Sequence, residues 1–123
     1  MVTDRRVLVV DDNQDSAVSL AMLLGLTGYE TSTAFDGEEA LAVAERFHPH
    51  IVLLDIGLPK LNGYEVCRQL RSAESSRELI IVALTGWGLA EDRRRSLDAG
   101  FDAHLVKPVD PVALQRTLRE FLH

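Results

Sequence analysis

The sequence predicts an α/β protein built on a doubly wound, five-stranded parallel sheet. Three observations carry that expectation. Short apolar runs alternate with amphipathic stretches along the whole chain. Three of the runs are apolar throughout, as strands covered on both faces must be. The other two carry polar residues, which suits the edges of a sheet.

The apolar runs are VLVV (Val7 to Val10), ETSTA (Glu30 to Ala34), IVLL (Ile51 to Leu54), LIIVAL (Leu79 to Leu84) and AHLV (Ala103 to Val106). The first helix lies between the first two runs. Ala17, Leu20, Ala21 and Leu24 fall at i, i+3, i+4, i+7 and line one face, and Gly28 follows where a C-terminal cap is wanted. Asp36 stands where an N-cap belongs before the second helix, whose inward positions are Ala40, Val43, Ala44 and Phe47. A short third helix over Gly63 to Ser72 turns Val66, Cys67 and Leu70 inward. The fourth, over Ala90 to Ala99, has the weakest pattern because Glu91 to Arg95 is wholly charged. The last carries Leu114, Leu118, Phe121 and Leu122 on one side.

Right-handed crossovers make a doubly wound sheet the compact solution. Polar runs at the second and fifth strands favour the flavodoxin-like order 2-1-3-4-5. The switch point then lies between the first and third strands, and ligands bind beyond the carboxyl ends there.

Composition narrows the class. The 123 residues are one domain's worth, read as a single domain over 1–123, and 46% hydrophobic with 26% charged content is globular. A net charge of −6 argues against non-specific nucleic-acid binding. The lone Cys67 excludes an internal disulfide and fits a reducing compartment. Apolar runs are too short to span a membrane, and the MVTDRR start is no signal peptide. A cytoplasmic location is expected.

The residues at the strand ends point to chemistry. The first strand ends in Asp11-Asp12, the third in Asp55, the fourth in Thr85 and the fifth in Lys107-Pro108. Three clustered carboxylates repel one another unless a cation joins them, and Mg²⁺ suits carboxylate ligands while keeping several waters. A cation, an ammonium and a hydroxyl around one carboxylate suit a tetrahedral dianion. Asp55, with an ordinary pKa of ~4, is ionised at neutral pH and can be an in-line nucleophile in phosphoryl transfer.

The segments VVDDNQDS, LLDIGLPKLNGYEV, ALTGWG and AGFDAHLVKPVD occur in this order and spacing. In them the chain resembles a response-regulator receiver domain over essentially its whole length. The resemblance implies that Asp55 accepts phosphate from a histidine kinase or a histidine phosphotransfer protein. It implies direct Mg²⁺ ligation by Asp12, Asp55 and the Gly57 carbonyl, with Asp11 acting largely through bound water. Thr85, Gly86 and Lys107 would bind the phosphoryl group carried by Asp55, and Lys107–Pro108 would be a cis peptide. Such a domain is a signalling switch and not an enzyme, and a dimer formed on phosphorylation is open.

Some positions depart from the family. The aromatic switch residue three before the lysine is His104 here; it either rotates inward with Thr85 or is a half-exposed edge residue. Gly57 and Trp87 stand two residues after the acceptor and two after the threonine. Neither offers an acid or amide to orient water, so slow self-dephosphorylation is expected, although GWG also reads as a surface turn. Arg93 to Arg95 read as a solvated face or as contacts for an acidic partner, and His48 and His50 as a surface loop. Cys67 reads as a small core residue. The rival readings are a pseudo-receiver that binds partners without phosphate and an aspartate-nucleophile phosphatase of the haloacid-dehalogenase type. The phosphatase wants a second Asp where Gly57 stands. A nucleotide site lacks its glycine-rich loop. The LTGWG and DRRRSLDAGFDAHLVKPVDP segments resemble receivers of hybrid histidine kinases. The abrupt end at Leu122-His123 fits an excised domain at least as well as a stand-alone one.

Overall fold

The computed structural model describes residues 5–58, 61–72, 79–86 and 100–121. Five strands, β1 (Arg6–Val10), β2 (Glu30–Ala34), β3 (Ile51–Asp55), β4 (Ile80–Thr85) and β5 (Ala103–Val106), form one parallel sheet in the order β2-β1-β3-β4-β5. The polar strands β2 and β5 are its edges, as the sequence predicts. The described helices are α1 (Gln14–Leu26), α2 (Gly37–Phe47), α3 (Gly63–Ser72) and a C-terminal helix, Pro111–Phe121. The predicted helix over 90–99 lies outside the described residues. None of the described helices is long and apolar enough to cross a membrane.

Two cores flank the sheet because its central strands alternate. Val7, Val9, Ile51 and Leu53 face α1 and the C-terminal helix, packing on Ala17, Leu24, Leu114 and Leu118. Leu8, Val10, Val52 and Leu54 face the other way, onto Ala40, Val43, Val66 and Cys67 of α2 and α3. The continuous apolar runs are thus period-two patterns superposed, one for each face.

Helix ends follow local chemistry. The α1 cap is Asn13, whose side chain accepts the Ser16 N–H at 3.0 Å, so neither Asp11 nor Asp12 serves as the cap. Asp36 caps α2 by accepting from the Glu39 N–H at 2.8 Å. Past α1 the chain needs a left-handed residue, and Gly28 supplies φ +99°. His48 closes α2 at φ 52°, its N–H donating to the Ala44 carbonyl. Its neighbour His50 is not idle either, since its Nδ1 accepts the Arg6 backbone N–H at 2.9 Å.

Candidate functional site

Strand register explains which side chains meet. In the β1–β3 ladder Val9 pairs with Leu53 and Val10 with Leu54, so the next step in register sets Asp11 beside Asp55. Asp55 pairs with Leu84 on β4, one residue short of Thr85. Thr85 pairs with Val106, and the Lys107 N–H donates to the Thr85 carbonyl at 2.7 Å. Four strand ends therefore deliver Asp11, Asp55, Thr85 and Lys107 to one rim.

Asp11, Asp55 and Thr85 are the buried polar residues among those described, at 3%, 7% and 3% exposure. Asp12 is exposed. Carboxylate oxygens of Asp11, Asp12 and Asp55 lie within 4.8 Å of one another. The Lys107 ammonium bridges two of them, 3.0 Å from Asp11 Oδ2 and 3.1 Å from Asp55 Oδ2. The other Asp55 oxygen, Oδ1, accepts the Gly57 N–H at 2.8 Å. Asp11 Oδ1 accepts the Asn13 N–H at 3.0 Å, so its orientation is fixed from both sides. The Lys107–Pro108 peptide is cis.

Electrostatics at the rim are strained by burial. Burial raises the Asp55 carboxyl above its ordinary value, with the Asp11 charge adding to the rise. The Gly57 N–H and Lys107 oppose it but do not win. Burial also disfavours the Lys107 ammonium, yet its bonds to Asp11 and Asp55 outweigh that and hold its pKa above the usual lysine value. Two buried carboxylates share one cation here, with a third carboxylate alongside. An oxygen-only donor set with excess negative charge fits a hard divalent ion.

Other expected positions fall as follows. Gly86 is exposed, and a Cβ added there would meet nothing within 4 Å, which leaves approach to Thr85 open. Gly57 is exposed, its missing side chain 3.5 Å from Asp55 Oδ1. His104 is half-buried on β5 in register with Ala83. Trp87 and Arg93 to Arg95 lie outside the described residues. The sequence reading missed Asn13, whose type and position before the apolar period were the available signal. It also missed the double ion pair of Lys107, which no spacing announces.

The response regulator receiver domain family matches residues 7–119 of the chain. A probable transcriptional regulator, ycf27, of Cyanophora paradoxa is 40% identical over 121 residues, 98% of this chain and 49% of that protein. The chain thus spans about half the length of this relative. Among solved structures, the chemotaxis protein CheY4 of Vibrio cholerae matches with a TM-score of 0.91 at 31% identity, over 96% of this chain and 98% of that one. The receiver domain of the sensor histidine kinase PA1611 from Pseudomonas aeruginosa PAO1 has a magnesium ion coordinated in its active-site cleft. It matches at 0.86 and 35% identity, over 95% of this chain and 96% of that one.

Proposed function

The chain belongs to the response regulator receiver domain family, and on that premise we propose that Asp55 takes a phosphoryl group from a phosphohistidine of a histidine kinase or a histidine phosphotransfer protein. The observation that carries this reading is the Lys107 ammonium held between Asp11 and Asp55 beside a third carboxylate. Such a site has one cation too few for its own charge. It gains from a bound metal and is prepared for a ligand with negative oxygens.

In the proposed step a carboxylate oxygen of Asp55 attacks phosphorus. A new O–P bond forms, the N–P bond to imidazole breaks, and the electron pair leaves on the imidazole nitrogen. Nothing is oxidised or reduced. The Gly57 N–H fixes the carboxylate rotamer through Oδ1, and Lys107 follows the charge as it moves onto the phosphoryl oxygens. Thr85 offers a buried hydroxyl from β4. Asp12, Asp55 and the Gly57 carbonyl would hold Mg²⁺, with Asp11 acting through water. When bound, the ion would neutralise charge on the transferring group. The phosphorylated state would then bias Thr85, β5 with His104, and the segment after Gly86 toward a different partner surface. Neither Gly57 nor Trp87 is a residue type that supplies an acid or amide to aim a water, so self-dephosphorylation would be slow. We read residues 1–123 as one such domain, acting alone or as part of a larger cytoplasmic protein.

Intact-mass spectrometry after incubation with acetyl phosphate and Mg²⁺ tests the reading. Wild type is expected to gain one phosphoryl group, Asp55→Asn none, and a chelator to abolish the gain. An equal gain in Asp55→Asn would assign the acceptor elsewhere.

A further inference from the structure

We infer that Gly63 is a positioning residue for phosphoryl transfer, setting the depth of Asp55 by carrying no side chain; this rests on the reading of Asp55 as the acceptor. β3 ends at Asp55, and α3 begins at Gly63 after a short loop. The two ends of that loop are in direct contact. The Gly63 N–H donates to the Ile56 carbonyl at 3.3 Å, and the Ile56 N–H donates to the Leu84 carbonyl at 3.3 Å. A Cβ on Gly63 would sit 2.6 Å from the Asp55 carbonyl oxygen and would also strike the Ile56 Cα. These are backbone atoms and cannot swing aside. The first residue of α3 therefore rests on the peptide that joins the acceptor to Ile56.

That peptide leads into the group that orients the acceptor. Gly57 follows Ile56, and its N–H holds Asp55 Oδ1 at 2.8 Å. Any side chain at Gly63 must lift the Asp55–Ile56 backbone away from α3 and turn the Gly57 N–H with it. The proposed metal-binding carbonyl of Gly57 would move too. A displacement near 1 Å is enough to cost on the order of 10²-fold in a positioned reaction.

Gly37 provides the internal control. It opens α2, and a Cβ there would lie 2.6 Å from the Leu61 carbonyl oxygen and 2.8 Å from Val66 Cγ2. The steric conflict is of the same kind, but its three nearest atoms belong to Leu61 and Val66, at the far end of the loop and in α3, and not to Asp55, Ile56 or Gly57. Both glycines fix α-helix starts against backbone, and only Gly63 does so against the acceptor.

The test compares Gly63→Ala with Gly37→Ala in the whole chain. Three quantities are read: thermal stability, the Mg²⁺ dissociation constant of the unphosphorylated protein by fluorescence or NMR titration, and the acetyl phosphate rate at saturating Mg²⁺. Both variants are expected to lose stability. Gly63→Ala alone should weaken Mg²⁺ binding and slow phosphorylation, each by about tenfold or more. If Gly63→Ala keeps both within about twofold of wild type, the inference is wrong and the glycine is only a packing residue. If Gly63→Ala does not fold, Asn62→Ala decides. It removes the side chain that accepts the Glu65 N–H at 3.0 Å and loosens the start of α3 without adding bulk. A weaker Mg²⁺ affinity supports the inference, and an unchanged one overturns it. A wild type that neither binds Mg²⁺ nor takes phosphate fails earlier. That outcome overturns the acceptor assignment itself, and with it this inference.

Discussion

The two ends of the sheet treat charge in opposite ways. At the carboxyl end, Asp11, Asp12 and Asp55 crowd together and share one ammonium. At the amino end, arginines satisfy the backbone. Arg6 Nε donates to the Phe47 and His48 carbonyls at 2.9 Å each. Arg71 donates to the Gly100 carbonyl at 2.9 Å, to the Leu79 carbonyl and to Asp102, and Asp102 in turn accepts the Ile81 N–H at 2.8 Å. One end is left electrostatically unfinished while the other is closed by charge-assisted bonds. The difference teaches how a small domain divides its labour. The crowded carboxylates of the rim stay destabilised, and the opposite end carries the stabilising polar contacts. Helix α3 joins the two, from Gly63 against the Asp55 backbone through buried Cys67 to Arg71.

Breaking the closed end should have the largest effect on stability. Arg71→Ala removes a side chain that ties α3 to the starts of β4 and β5, and it strips Asp102 of its counter-charge. A loss of about 2–3 kcal/mol is expected, as for charge-assisted bonds to backbone and carboxylate. A urea titration measures it. Mg²⁺ affinity should stay unchanged, because Gly100, Leu79 and Asp102, which Arg71 holds, lie at the opposite end of the sheet. A variant that lost affinity while remaining folded would show that the two ends are coupled, and the division of labour would fall.

The middle of α3 offers a pH-dependent comparison. Burial pushes the Cys67 thiol up from 9.0 to about 11. The unfolded chain therefore ionises this thiol first as pH rises. Stability is held below pH 9 and lost as pH climbs toward 11, by roughly 2 kcal/mol at the upper end. Cys67→Ala pays a pH-independent packing cost but lacks this loss. Unfolding midpoints of the two proteins should converge between pH 9 and 11. Parallel curves would mean that the thiolate is accommodated in place.

Much of this contrast was legible in the sequence, though unevenly. Polar residues in ETSTA and AHLV marked the edge strands, and the aligned strand ends brought Asp11, Asp12, Asp55, Thr85 and Lys107 to one rim. The strand ends at Asp55 and Thr85 were read where the ladder has them. The apolar runs missed Arg6 at the start of β1 and began β4 one residue early at Leu79, because hydropathy and ladder pairing do not start at the same residue. The amino end was illegible for a different reason. Arg6 meets His50 across 44 positions and Arg71 meets Asp102 across 31. No local period encodes such pairs. Gly63 likewise reads as an ordinary helix start until the backbone of Asp55 is seen beneath it.

The smallest expected effect sharpens the comparison most, because its sign is opposite to that of Arg71→Ala. Burial, helped by Asp11, raises the Asp55 carboxyl, so ionising it costs folding free energy. The site's contribution is intact below the unfolded carboxylate value of ~4 and is lost as pH rises through the higher folded value. Asp55→Asn keeps the shape and removes the charge. Without metal at neutral pH it should therefore be more stable than wild type, by about 1 kcal/mol, the usual scale of gain when a site kept for function is relaxed. The gain should shrink as pH falls toward 4, where wild type also becomes neutral. Added Mg²⁺ should reverse the order, since binding to the native state stabilises wild type by mass action and the variant has lost a ligand. Thermal melts in chelator and in excess Mg²⁺ measure both halves. If Asp55→Asn is the less stable protein in chelator, Lys107 already satisfies the carboxylates, and the rim is as closed as the opposite end.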